Sequence, residues 1–337
     1  MLLSIYYFSI IIMILLSILI PKMDKFTATS IAFILFYFGA YRATGFDYTE
    51  YLNILYYTAN IDPSFDFFQK LVIAARDPFI GFLAYGFSLI NDNEVFMFKS
   101  LIFVAVFIKL LFSFYFKYKS SLFLGLYALL LAPGLEFAAI RTSIGLGFIA
   151  FVFIYYNNII LRYLYISLGI ASHASLLSLG MIFFFEKLIK KSLLINYIII
   201  SVSTYFSINI ILYLLPDRVS NYIDSASTLG NYIFPFLILI LLIIMYRIKK
   251  TIFTKYVYQI ALFLHAIVIG ITPINATITT RMLEIDFFII LIFLISSAYS
   301  FKTIYLWISL LLFILIVLTF NSFRGLFLVI NSFNINL

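Results

Sequence analysis

The sequence predicts an all-α polytopic integral membrane protein, with about ten full transmembrane helices plus re-entrant or interfacial segments. Composition is the first reason: the chain is 65% hydrophobic and only 11% charged, with a mean hydropathy of +1.14. A soluble domain carries about 25% charged residues, so this chain has less than half the charge needed to cover a water-facing surface. Continuity is the second. Apolar runs recur from Leu2 to Phe320 with no soluble-looking block between them. Length alone would suggest two soluble domains, but this pattern predicts a single integral domain over residues 1–337. The third is charge placement, because the basic residues sit in short clusters between apolar runs.

A helix needs roughly 20 apolar residues to cross the hydrocarbon core. The segments that approach this are 3–20, 26–41, 95–116, 120–134, 137–156, 192–215, 232–248, 256–272, 282–299 and 303–320. The run 79–90 is too short and reads as interfacial or re-entrant. The run 161–186 can cross once with residues to spare. The first run lacks a basic leader and a small-residue cleavage site, which predicts a retained helix rather than a removed signal peptide.

Sidedness follows from lysine and arginine in short loops. Lys22/Lys25, Lys117/Lys119, Arg162, Lys187/Lys190/Lys191, Arg247/Lys249/Lys250/Lys255 and Lys302 form the basic clusters. Placing them all in the cytoplasm puts the N-terminus and the intervals 42–78, 91–94, 134–141, 216–231 and 272–281 outside. Arg162 and Lys187 then lie on one side with a single crossing between them. A re-entrant helical hairpin over 161–186 resolves this, with its tip at Ala171-Ser172-His173-Ala174-Ser175; the alternative is one tilted helix with Arg162 outside. Broken helices are tolerated at membrane depth where protein or a water-filled cavity surrounds them.

Several function classes are excluded or disfavoured. The net charge of +8 does not point to nucleic acid, since no basic stripe exceeds four residues. With no cysteine there is no thiolate site or disulfide, and two widely separated histidines make no zinc motif. No Walker lysine, nucleophile elbow or dinucleotide glycine pattern appears. We find no convincing internal repeat, which counts against transporters built from repeated halves. Neither a metal nor another cofactor is expected.

Chemistry must therefore come from the polar residues expected on the outer side: Arg42, Asp47, Glu50, Arg76, Asp77, Glu136, Arg141, His173, Asp217, Arg218, Asp224, Arg281, Glu284 and Asp286. Ionisable groups at membrane depth are costly, usually paired, and functional by default. Arg141 and Arg281 each stand at the expected start of an apolar helix. A guanidinium there opposes the helix dipole unless it binds an anion, in which case the terminal amides and the guanidinium reinforce each other. Plainer roles are open for each residue. Arg42 and Arg76 could be interfacial anchors, and Arg281 could simply pair with Glu284 or Glu50. His173 could be a packing residue, and its place at a helix break with Ser172 and Ser175 leaves packing and function equally open. His265, amid apolar residues, reads as packing.

The order of motifs resembles a known family. Arg42-x-x-Gly45-x-Asp47-Tyr48-x-x-Tyr51 comes first, then Arg76-Asp77-Pro78-Phe79, Arg141 in Ile-Arg-Thr-Ser-Ile-Gly, Ser172-His173-Ala-Ser175, and Arg281. Together they are similar to the EpsG-like group of Wzy-type polysaccharide polymerases, whose members often carry Glu-Pro-x-Phe where this chain has Asp77-Pro78-Phe79. The likeness spans about residues 37 to 300.

The resemblance implies a bacterial inner-membrane glycosyltransferase of GT-C-like architecture, acting at the outer face. Its substrates would be oligosaccharide repeat units on undecaprenyl diphosphate, with membrane lipid around it and a separate chain-length regulator as the kind of protein partner expected. On this reading Arg141 and Arg281 hold the diphosphate, with Arg42 or Arg76 assisting. His173 accepts or orients the acceptor proton, with Asp47 as the second candidate, and Tyr48, Tyr51 and Asp77 contact sugar. A flippase for lipid-linked oligosaccharides and an O-antigen ligase-type transferase are the competing readings.

Overall fold

The structure is a computed structural model that describes residues 2–41, 48–59, 77–185, 193–214, 230–248, 251–298 and 304–324. All regular structure among the described residues is helical. The chain divides into two compact units, Met1–Leu177 with Asn321–Leu337, and Ser178–Phe320. The sequence by itself reads as one integral domain.

The first unit contains α1 (Leu2–Leu19), α2 (Asp24–Ala40), α3 (Tyr48–Ala59), α4 (Pro78–Ser88), α5 (Glu94–Ser113), α6 (Ser120–Leu126), α7 (Ile140–Ile154) and α8 (Ile159–Ser172). A π-helical turn, Tyr127–Leu131, continues α6, and a 3-10 turn, Ala174–Leu176, follows α8. Then come α9 (Leu177–Phe185), α10 (Leu193–Leu214), α11 (Gly230–Met245), α12 (Ile252–Ile271), α13 (Ala276–Ser297) and α14 (Ile304–Phe323).

Four of these elements are long and apolar enough to cross a membrane: α5, α10 over Leu193–Ile210, α12 and α14. The chain is a helical membrane protein. Several other apolar runs form shorter helices among the described residues, whereas the 22-residue α13 carries three charged side chains, Arg281, Glu284 and Asp286. Residues 137–156 yield the 15-residue α7, because the turn that precedes it extends to Ala139. Residues 79–90 yield the 11-residue α4.

Side-chain caps set several helix starts. Asn93 accepts from the amides of Val95 and Phe96, Asn158 from Leu161, and Asn275 from Ile278. Thr251 and Thr254 form a reciprocal capping box on α12. Each satisfies amides that a helix N-terminus leaves without intrahelical partners. The cap at Asn275 corrects one expectation. Because α13 begins at Ala276, Arg281 stands in its second turn rather than at its N-terminus.

The first unit has two chemically distinct ends. At one, Asp24 accepts hydrogen bonds from the Ser120 amide (2.9 Å), the Ser121 amide (3.0 Å), the Ser121 hydroxyl (2.6 Å) and the Ser17 hydroxyl (3.1 Å). This ties the start of α2 to α1 and α6 beside Lys22, Lys25, Lys117 and Lys119. Asp24 lies just outside the apolar segment 26–41. Burial alone would push its carboxyl up, but the Ser121 and Ser120 donors outweigh burial and hold it below its ordinary range. At the other end, Lys99 lies 4.0 Å over the Tyr41 ring, and Tyr48 and Tyr51 pack on Phe98. The helices α7 and α8 run antiparallel, so Arg162 and His173 fall at opposite ends.

Candidate functional site

At the end remote from Asp24, two segments meet on the carboxylate of a third, and a fourth braces the arginine between them. Asp77 Oδ2 accepts a hydrogen bond from Arg141 Nη1 at 3.0 Å and lies 3.3 Å from His173 Nδ1. Asp77 is the N-cap of α4, with Pro78 at the first helical position. An aspartate there would ordinarily turn back to the helix amides. This one makes no such bond and is spent on Arg141 and His173 instead.

Arg141 stands in the first turn of α7, as expected, and Asp77 supplies the anion that offsets its unfavourable place on the helix dipole. Tyr51 braces it twice. The Arg141 backbone amide donates to the Tyr51 hydroxyl at 3.3 Å, and the guanidinium carbon lies 5.6 Å from the ring centre. Glu50 adds negative potential at the guanidinium. His173 occupies the break between α8 and the 3-10 turn, with extended backbone. The side chains of Asp77, Arg141 and His173 are 7%, 22% and 28% exposed. The carboxylate is thus buried, while both its partners remain reachable.

Glycine brings the two helices together. A Cβ on Gly145 would stand 2.9 Å from the Gly169 carbonyl oxygen and 2.3 Å from Leu176 Cδ1. A Cβ on Gly169 would stand 2.9 Å from the Ile149 side chain. Gly145 lies one helical turn after Arg141, and Gly169 one turn before His173. The close crossing therefore sets the two functional side chains at a common height.

The structure brings Tyr51, Asp77, Arg141 and His173 together. Tyr48 is one turn from Tyr51 but packs edge-on against Phe98 at 5.0 Å. Arg281, in the second unit, bonds Glu284 at 3.3 Å, one of the plainer pairings open from sequence. Arg42, Asp47 and Arg76 lie outside the described residues.

Two buried polar groupings escaped the reading of the sequence. Beside the site, Lys109 Nζ of α5 lies 2.8 Å from Glu136 Oε1, and donates to the Ser143 hydroxyl (2.6 Å) and the Ser143 carbonyl (2.9 Å). Ser143 donates to Glu136 Oε1 at 2.7 Å, and the Tyr127 hydroxyl, from the π turn, donates to Glu136 Oε2. Lys109 and Glu136 side chains are both 0% exposed. The network anchors the turn before α7 and α7 itself, two residues from Arg141. A lysine inside the apolar run 95–116 was the available signal. In the second unit His265, which read as packing, lies 3.0 Å from Asp286. The partner comes from the next helix, so neighbouring sequence could not reveal it.

No protein-family model matches the chain, and comparison with characterised proteins and with solved structures finds no relative.

Proposed function

We propose that the protein is a membrane glycosyltransferase, a polysaccharide polymerase that joins oligosaccharide repeat units carried on undecaprenyl diphosphate at the outer face of a bacterial inner membrane. One observation carries the reading: a single buried carboxylate, Asp77, bonds both an arginine and a histidine that remain partly exposed. Such a pairing suits transfer from a sugar diphosphate. With its proton on Nδ1 and donated to Asp77, neutral His173 has its lone pair on Nε2, where it can take the proton of an acceptor hydroxyl. The acceptor oxygen attacks the anomeric carbon, the bond from that carbon to the diphosphate oxygen breaks, and the leaving diphosphate takes the electron pair. Arg141, permanently cationic, stabilises the charge that accumulates there. Tyr51 and Asp77 fix the guanidinium, and the exposed edge of the site admits sugar.

The finer architecture belongs to the same proposal: about ten spans, a GT-C-like arrangement, cytoplasmic basic clusters and a site facing the periplasm or cell exterior. Arg42, Arg76 and Arg281 are further candidates for the diphosphate, Asp47 is the second candidate for the proton, and a separate chain-length regulator is the proposed protein partner.

Deletion of the gene followed by analysis of surface glycan tests the class. Single repeat units left on the surface are expected of a lost polymerase. Complete loss of surface glycan would replace this reading with a flippase or a ligase.

A further inference from the structure

The second unit contains a polar cluster with no part in the chemistry above. His265 of α12 and Asp286 of α13 face each other at 3.0 Å between Nδ1 and Oδ2, both side chains 0% exposed. Tyr197 of α10 lays its ring 6.2 Å from the imidazole and inclined at 28°. The helices α10 and α12 are held close one turn further on, where a Cβ on Gly270 would come 2.5 Å from the Ser201 carbonyl. Among the described residues, His265 Nε2, Asp286 Oδ1 and the Tyr197 hydroxyl are buried without a hydrogen-bond partner. Three unpartnered polar atoms on three adjoining helices are expensive to bury.

Charge counting identifies the ligand. Were Asp286 ionised and His265 neutral, the cluster would bury a net negative charge. Among the described residues of the second unit, little could offset that charge. Arg281 is engaged by Glu284 and lies five residues before Asp286 on a different face of α13. Lys255 lies ten residues before His265, roughly 15 Å along the helix. The described stretches of α9, α10, α11 and α14 carry no charged side chain, and Tyr197 of α10 turns toward the pair. One added proton brings the pair to net zero. That proton can make an imidazolium facing a carboxylate, or a carboxylic acid donating to Nδ1. In both arrangements Nε2 carries a hydrogen, and the proton belongs to the pair rather than to either residue.

We propose that His265 and Asp286 form a proton-binding site in which the pair shares one added proton and Nε2 carries a hydrogen. Buried acid–histidine pairs of this chemistry serve proton uptake and release in membrane proteins. The site stands independently of the glycosyltransferase reading.

Imidazole ¹⁵N NMR of histidine-labelled protein in lipid vesicles tests it, because the chain has only 2 histidines and His173→Gln assigns the remaining signals to His265. The expected result is a protonated Nε2 at pH 7. Tyr197→Phe should shift the Nε2 resonance, and Asp286→Asn should shift that of Nδ1. A bare Nε2 at pH 7 would overturn the proposal. The spectrum with His265 as the one labelled histidine decides this even if a Tyr197 or Asp286 variant fails to fold.

Discussion

Gly145 of α7 lies against Gly169 of α8, so closely that a Cβ on the first would come 2.9 Å from the carbonyl oxygen of the second. That contact sets the spacing of Arg141 and His173. Gly→Ala in a helix ordinarily stabilises by up to about 1 kcal/mol. Here the obstruction includes backbone, and overpacking of this kind costs about 1–3 kcal/mol. Gly145→Ala should therefore lower the thermal midpoint in detergent and shorten polymer. Gly86, on α4, has nothing within 4 Å of its Cβ position, and Gly86→Ala should be neutral or stabilising.

Lys109 and Glu136 should behave as a unit. Removing one member of a buried ion pair strands a charge, at a cost of about 3–5 kcal/mol, whereas replacing both is far milder. Lys109→Met is expected to destabilise the protein severely. Lys109→Met combined with Glu136→Gln should recover most of the loss, as read by thermal unfolding and by protein recovered from membranes. Additive losses would mean that the two side chains contribute separately.

Asp24 gives the first unit a pH dependence. Its folded carboxyl titrates below the ordinary value, so its contribution is present above the unfolded value of about 4 and lost as pH falls through the folded value. At pH 7, Asp24→Asn should be less stable by about 1–3 kcal/mol, since charged acceptors make the stronger hydrogen bonds. The gap between wild type and variant should stay constant from pH 8 to pH 5 and narrow below that. A gap that widens in acid would contradict the assignment.

The helices were largely legible in the sequence. Segment 26–41 became Asp24–Ala40, and 256–272 became Ile252–Ile271, because apolar runs of this length have few alternatives to helix. The break at His173 was legible too. Tertiary pairing was not. His265 has only apolar neighbours along the chain, and its carboxylate comes from the following helix. Lys109 and Glu136 meet by the packing of α5 against the turn before α7. The glycine crossing is silent for the same reason: either glycine alone reads as a helix interruption, and only their meeting gives them meaning. Arg281 was misjudged locally, because Asn275 caps the helix earlier than the hydropathy boundary suggested.

The central claim is that Asp77, Arg141 and His173 form one transferase site. Its most direct measurement is surface-glycan chain length in a deletion strain complemented with wild type, His173→Ala, Arg141→Ala or Asp77→Asn, at matched membrane levels. Wild type should restore long polymer. His173→Ala and Arg141→Ala should leave single repeat units, and Asp77→Asn should give short chains, because the histidine and arginine remain but lose their shared anchor. Full-length polymer from both His173→Ala and Arg141→Ala would contradict the account.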